Sequence, residues 1–201
     1  MTSPRVVGLD LSWTGAGLAD NRGHAFTFGT DSKYPGGKRA RLEATMQAVR
    51  EFVLGDPWLP LKVERPELVV VEAPAFGAKG SAVVDLGGLW WHVTQTLWLA
   101  GVPLVPITTG TLKMYATGKG SGGKAATVAA VARREPDLEV RDDNVPDACV
   151  LRALGCALLG YPLPGWDRLP KTHTRALEVA RKAAADNGVS LVTRDTCTAL
   201  P

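Results

Sequence analysis

Three acids stand where apolar runs stop. Asp10 closes the run Val6-Val7-Gly8-Leu9, Glu72 closes Leu68-Val69-Val70-Val71, and Asp147 stands at the head of an apolar stretch reaching about residue 159. A carboxylate ending a buried strand is costly unless it is solvated, paired or bound to a metal. Three of them meeting at one edge of a sheet offer hard oxygen donors of the kind that Mg²⁺ or Mn²⁺ takes. Two such ions roughly 3.5–4 Å apart can activate a water and stabilise the leaving oxygen in phosphodiester hydrolysis. Taken singly, each acid reads as well as a helix cap or a solvated loop residue. The matching places of Asp10 and Glu72 at the ends of two buried strands favour a shared site. Asp142-Asp143-Asn144 carries the same two readings. It is either an N-terminal cap or a source of one more group facing the metal, a turn ahead of Asp147.

A second chemistry-bearing stretch is basic. Residues 113–134 hold five cations, Lys113, Lys119, Lys124, Arg133 and Arg134, and no acid. Glycines at 118, 120, 122 and 123 let the backbone approach a partner closely. A phosphate backbone is the natural partner of such a local charge. The stretch is not a Walker loop, because Ala125 follows Lys124 where Ser or Thr is required. Lys33, Lys38, Arg39, Arg41 and Arg50 against Glu43 either extend this positive surface or form an ordinary solvated helix face.

The elements that must carry these groups follow from periodicity. Strands are expected at residues 6–11, 16–19 and 25–28, with the turn Asp20-Asn21-Arg22-Gly23 between the last two, as an antiparallel meander. An amphipathic helix at 39–54 places Leu42, Met46, Val49 and Val53 on one stripe. Residues 68–72 and 102–107 read as strands buried on both faces. Helices are expected at 81–100, briefly from 108 to 115, then at 124–134 and from 142 to about 159. The sum is an α/β layer fold with a mixed sheet. Beyond Pro162-Leu163-Pro164-Gly165 the composition turns polar around a helix at 172–186. The chain divides on this reading into a body, residues 1–162, and a C-terminal helical appendage, residues 163–201.

Bulk properties exclude more than they identify. The 201 residues are 45% hydrophobic with a net charge of +3, which argues against disorder and leaves any nucleic-acid surface to local charge. Cys149, Cys156 and Cys197 form no C-x-x-C pair, and the first two read as core residues of one helix face. The N-terminus lacks a signal-peptide apolar region, and no apolar run is long enough to span a membrane. A soluble, cytoplasmic protein of a reducing compartment is expected.

Gly8-Leu9-Asp10, Val70-Val71-Glu72 and Asp143-Asn144-Val145-Pro146-Asp147-Ala148 together resemble the RuvC Holliday junction resolvases of the RNase H-like (retroviral integrase) superfamily. Thr109-Gly110-Thr111-Leu112-Lys113, followed by Lys124, resembles that family's pair of junction-phosphate lysines flanking a glycine-containing loop. The resemblance spans about residues 5–160. It implies an RNase H-like mixed five-stranded sheet flanked by helices, and a homodimeric endonuclease dependent on Mg²⁺ or Mn²⁺ that nicks four-way DNA junctions symmetrically with two ions per site. Asp10 would bridge the metals, Glu72 would ligate one and Asp147 would complete the set. Lys113 and Lys124 would hold scissile-strand phosphates, with Lys119 between them in the loop. Where the family has an Asp or His three residues before the last Asp, this chain has Asn144, so either Asn144 or Asp143 supplies the fourth group.

The aromatic residues carry two readings each. Trp90, Trp91 and Trp98 serve either a self-complementary dimer interface or packing on the sheet. Trp13 and Phe76, following the first two acids, either stack on unpaired bases or fill the core. His92 and His173 have no ligand spacing. Two other functions compete: a non-catalytic DNA-binding protein of the same fold, and an actin-like kinase, since Asp10-Leu11-Ser12-Trp13-Thr14 partly resembles the D-x-G-x-T phosphate loop. The kinase fold needs two large lobes that this length does not provide.

Overall fold

The computed structural model describes residues 3–31, 33–55, 63–74, 81–138 and 144–191. Five strands, β1 (Val6–Asp10), β2 (Ala16–Asp20), β3 (Ala25–Phe28), β4 (Leu68–Glu72) and β5 (Leu104–Ile107), form one sheet in the order β3-β2-β1-β4-β5. The meander pairs are antiparallel, whereas β1, β4 and β5 run parallel. The continuous apolar runs of β1 and β4 are buried on both faces, as parallel central strands are.

Alternate residues feed two cores. Val7, Leu9, Val69 and Val71 pack with Val49 and Val53 of α1 (Gly37–Leu54) and with Leu89, Val93 and Leu97 of α2 (Ser81–Leu99). Val6, Leu68, Val70, Val105 and Ile107 face the other way. There they meet α3 (Thr109–Thr117), α4 (Lys124–Arg134), α5 (Val145–Leu158) and α6 (Lys171–Asp186). Pro106 sits in β5 at the edge of the sheet, where a missing N–H costs no ladder bond.

α5 is the keel of this second layer. All of its residues are buried except Asp147 and Ala157, the pattern of a helix enclosed by protein all round. It reaches the sheet through glycines. A Cβ on Gly8 would lie 2.1 Å from the Ala148 carbonyl oxygen, and one on Gly17 would lie 2.3 Å from that of Asn144. Cys149 and Cys156 are free thiols buried on this helix. The buried Arg152 guanidinium pairs with Glu135, which also accepts a 2.8 Å bond from Trp166 Nε1.

Beyond residue 162 the described chain joins the same core. Trp166 stacks on Tyr115 with 5.5 Å between ring centroids, and Ala176, Ala180 and Ala184 of α6 share the cluster of Val6 and Val70. Residues 142–143 lie outside the described residues, among which α5 runs from Val145. α3 is a full helix of 9 residues, capped by the Thr108 hydroxyl and stopped by Gly118 at φ 79°. No helix among the described residues is long and apolar enough to cross a membrane.

Candidate metal centre

Strand register brings the first two acids together. Gly8 pairs with Val70 and Leu9 with Val71, so Asp10 and Glu72 close adjacent parallel strands. Both continue the face that carries Val6, Gly8, Leu68 and Val70, the face covered by α5. Asp147, in the first turn of α5, descends onto them because Gly8 and Gly17 remove the side chains that would hold the helix away. Ligand oxygens of Asp10, Glu72 and Asp147 all lie within 4.8 Å of one another.

This grouping sets the electrostatics. Withdrawal from water, then the charges of Glu72 and Asp147 and a hydrogen bond to Glu72, hold the Asp10 carboxyl well above the usual carboxylate range. The Lys124 ammonium, at the start of α4, acts in the opposite direction. Three mutually repelling hard oxygen donors with one nearby cation form a set that a divalent ion fits. Such an ion would supply the charge that the protein itself provides only in part.

Glu72 is held from two sides. Thr109 Oγ1 donates to Glu72 Oε1, and Trp90 Nε1 donates to the Glu72 backbone carbonyl at 2.9 Å. Neither contact is legible in the sequence beyond the tandem Thr108-Thr109 at a strand end, and Trp90 has no local signal at all. Asn144 lies beside the strand paired to Asp10, its Nδ2 2.8 Å from where a Cβ on Gly15 would stand. Its side chain makes no capping bond to α5. Asp143 lies outside the described residues.

Of the described basic residues, Lys124 is the one whose charge reaches Asp10. Lys113 lies one turn beyond Thr109 on α3, Lys119 is exposed in the glycine loop, and Lys124 opens α4. The loop folds back on the start of α3, where a Cβ on Gly120 would lie 3.3 Å from the Gly110 carbonyl oxygen. Three cations of the other cluster have partners of their own. Lys38 pairs with Asp85, Arg39 with Glu43, and Arg41 donates to Thr30 and to the Trp13 carbonyl. Arg41 also stands 5.5 Å above the Trp13 ring, which packs against the core. Phe76 lies outside the described residues. His173 supports the fold, donating from Nδ1 to the Tyr115 carbonyl at 2.9 Å.

No family model and no curated protein matches the chain. Solved structures do. A Thermus thermophilus RuvC structure superposes with a TM-score of 0.59 at 21% identity, covering 80% of this chain and 99% of that one. T. thermophilus RuvC in complex with Holliday junction substrate gives the same TM-score and coverage at 19% identity. The chain has the RuvC fold. Nearly the whole of RuvC is matched, while about a fifth of this chain lies outside the match. The RuvC fold is RNase H-like, and its mixed five-stranded sheet is the architecture expected from the sequence. On this RuvC fold, the three acids form a group that could hold a metal at the ends of β1 and β4 and the start of α5.

Proposed function

We propose that the chain is a metal-dependent endonuclease that cuts four-way or otherwise branched DNA by phosphodiester hydrolysis. The observation that carries this reading is the convergence of Asp10, Glu72 and Asp147 within 4.8 Å on a RuvC fold. The solved relative in complex with a Holliday junction supports the substrate class.

Asp10, Glu72 and Asp147 would together hold Mg²⁺ or Mn²⁺, with two ions per site. The ions would supply Lewis acidity for a water and for the leaving oxygen. The protein's part is to hold this donor set rigid. Asn144 or Asp143 adds a fourth group. Lys124 both tempers the acids and, with Lys113 and Lys119, holds the phosphates on either side of the cut.

A two-fold junction calls for two copies of the site, and α2 offers the surface. Val84, Trp91 and Trp98 recur at intervals of 7 on one stripe of α2 and are 75%, 68% and 71% exposed. An apolar, aromatic stripe of this kind suits a self-complementary contact between two copies. Trp90 takes the other role open to it, packing inward against the end of β4.

The test is a panel of labelled DNA: four-way junction, fork, flap and linear duplex, each with Mg²⁺. Cutting of branched substrates well ahead of linear duplex is the expected result. Equal cutting of all four would overturn the substrate class. Tight junction binding without any cutting would favour the non-catalytic DNA-binding alternative.

A further inference from the structure

We infer that Thr109 is a positioning residue for Glu72, orienting this carboxylate toward Asp10 and Asp147 through the hydrogen bond from its hydroxyl. The inference rests on the reading of the acid cluster as a cation site and goes beyond it by naming what sets that site's geometry.

Ligand oxygens of the three acids lie within 4.8 Å of one another, a spacing at which carboxylates repel. Without restraint, Glu72, which has the longest side chain of the three, would relieve that repulsion by rotating away. Thr109 Oγ1 opposes this by donating to Oε1 of Glu72. A donor seated on one of the two carboxylate oxygens restricts rotation of the whole group. The backbone is held separately, by Trp90 Nε1 on the Glu72 carbonyl at 2.9 Å.

The adjacent hydroxyls divide the work. Thr108 Oγ1 accepts from the Thr111 amide at 3.3 Å and caps α3, so its hydroxyl is committed to the helix. Thr109, the first residue of α3, is thereby oriented toward Glu72. Lys113 follows one turn later on the same side of α3, so a single rigid element sets both Glu72 and a phosphate-binding lysine. Partners of metal-ligating carboxylates typically change metal affinity or activity 10–100-fold when removed.

The experiment is a calorimetric titration of the full chain with Mn²⁺ alone, for wild type, Thr109→Val, Thr109→Ala, Thr109→Ser and Glu72→Gln. We expect Val and Ala, which lack the donor, to weaken Mn²⁺ binding roughly 10–100-fold, and Ser to restore it. Junction binding in EDTA should be unchanged in all of the Thr109 variants. In cleavage assays the Val and Ala defects should shrink at high metal concentration. Wild-type affinity in Val and Ala, with loss in Glu72→Gln, would overturn the role of Thr109 alone. An equal loss in Ser would also overturn it, pointing to packing rather than the hydroxyl. Unchanged binding in Glu72→Gln would instead overturn the cation-site reading beneath it. Using both Val and Ala keeps the test valid if one of them folds poorly.

Discussion

Asp10 stands between two like charges and one opposite charge, and that balance makes its protonation a reporter of the site. In the metal-free protein its carboxyl lies well above the usual carboxylate range, so the folded state binds this proton more tightly than the unfolded chain does. The stability this contributes is present at low pH and is lost as pH rises through the raised value. A divalent cation should therefore stabilise the protein more at pH 8 than at pH 5. At a hundredfold excess over its Kd the effect is about 2.7 kcal/mol, or roughly 5–10 °C in a thermal melt. An equal shift at both pH values would contradict the assignment. Asp10→Asn should raise the metal-free melting temperature at pH 8 by a few degrees and remove the metal-dependent increment. Lys124→Ala should lower the salt-dependence slope of DNA binding by about one; an unchanged slope would take Lys124 out of the phosphate contacts. The acids were legible in the sequence because each interrupts an apolar run. Thr109 and Trp90 were not, because their partners are tertiary contacts with Glu72 that no local pattern encodes.

At the scale of elements, α5 decides whether the third acid arrives. Its approach depends on Gly8 and Gly17, where any side chain would meet the α5 backbone. Gly8→Ala would put a methyl 2.1 Å from the Ala148 carbonyl oxygen, so the helix must move. The expected cost is about 1–3 kcal/mol or more, together with weaker Mn²⁺ binding, because Asp147 rides on the displaced turn. Gly155→Ala, against the side chains of Val6 and Val70 at the far end of α5, should destabilise with a smaller effect on Mn²⁺ affinity. Melting curves and Mn²⁺ titrations of the two variants separate the cases; equal affinity losses would contradict the proposed coupling. Strands and helices were readable from period alone, and α4 spans Lys124–Arg134 as its alanine-rich amphipathic pattern predicts. Pro146 in the first turn of α5 fits proline's preference for that place.

Over the whole molecule, the net charge of +3 is the sum of opposed local fields. Three acids meet at one edge of the sheet, and Lys124, which opens α4 within the acid-free stretch 113–134, acts on Asp10 there. In the second basic cluster, by contrast, Lys38 and Arg39 form exposed ion pairs and Arg41 holds Trp13. The sequence could not separate these two clusters, because a lysine's partner is set by packing and not by its neighbours in the chain. The same limit applies to α2. Its apolar content was plain, but only the fold turns Trp90 inward and leaves Val84, Trp91 and Trp98 outward. Trp91→Ser with Trp98→Ser should convert a dimer to monomers in sedimentation while leaving the Mn²⁺ site intact. A wild type that sediments as a monomer bound to a junction would contradict the dimer. The role of the acids is tested by the cleavage rate of a labelled four-way junction by wild type and by Asp10→Asn, with Mg²⁺ and with EDTA. The expected result is cutting by wild type with Mg²⁺ and none in the other three reactions. Cutting in EDTA, or by Asp10→Asn at the wild-type rate, would contradict it.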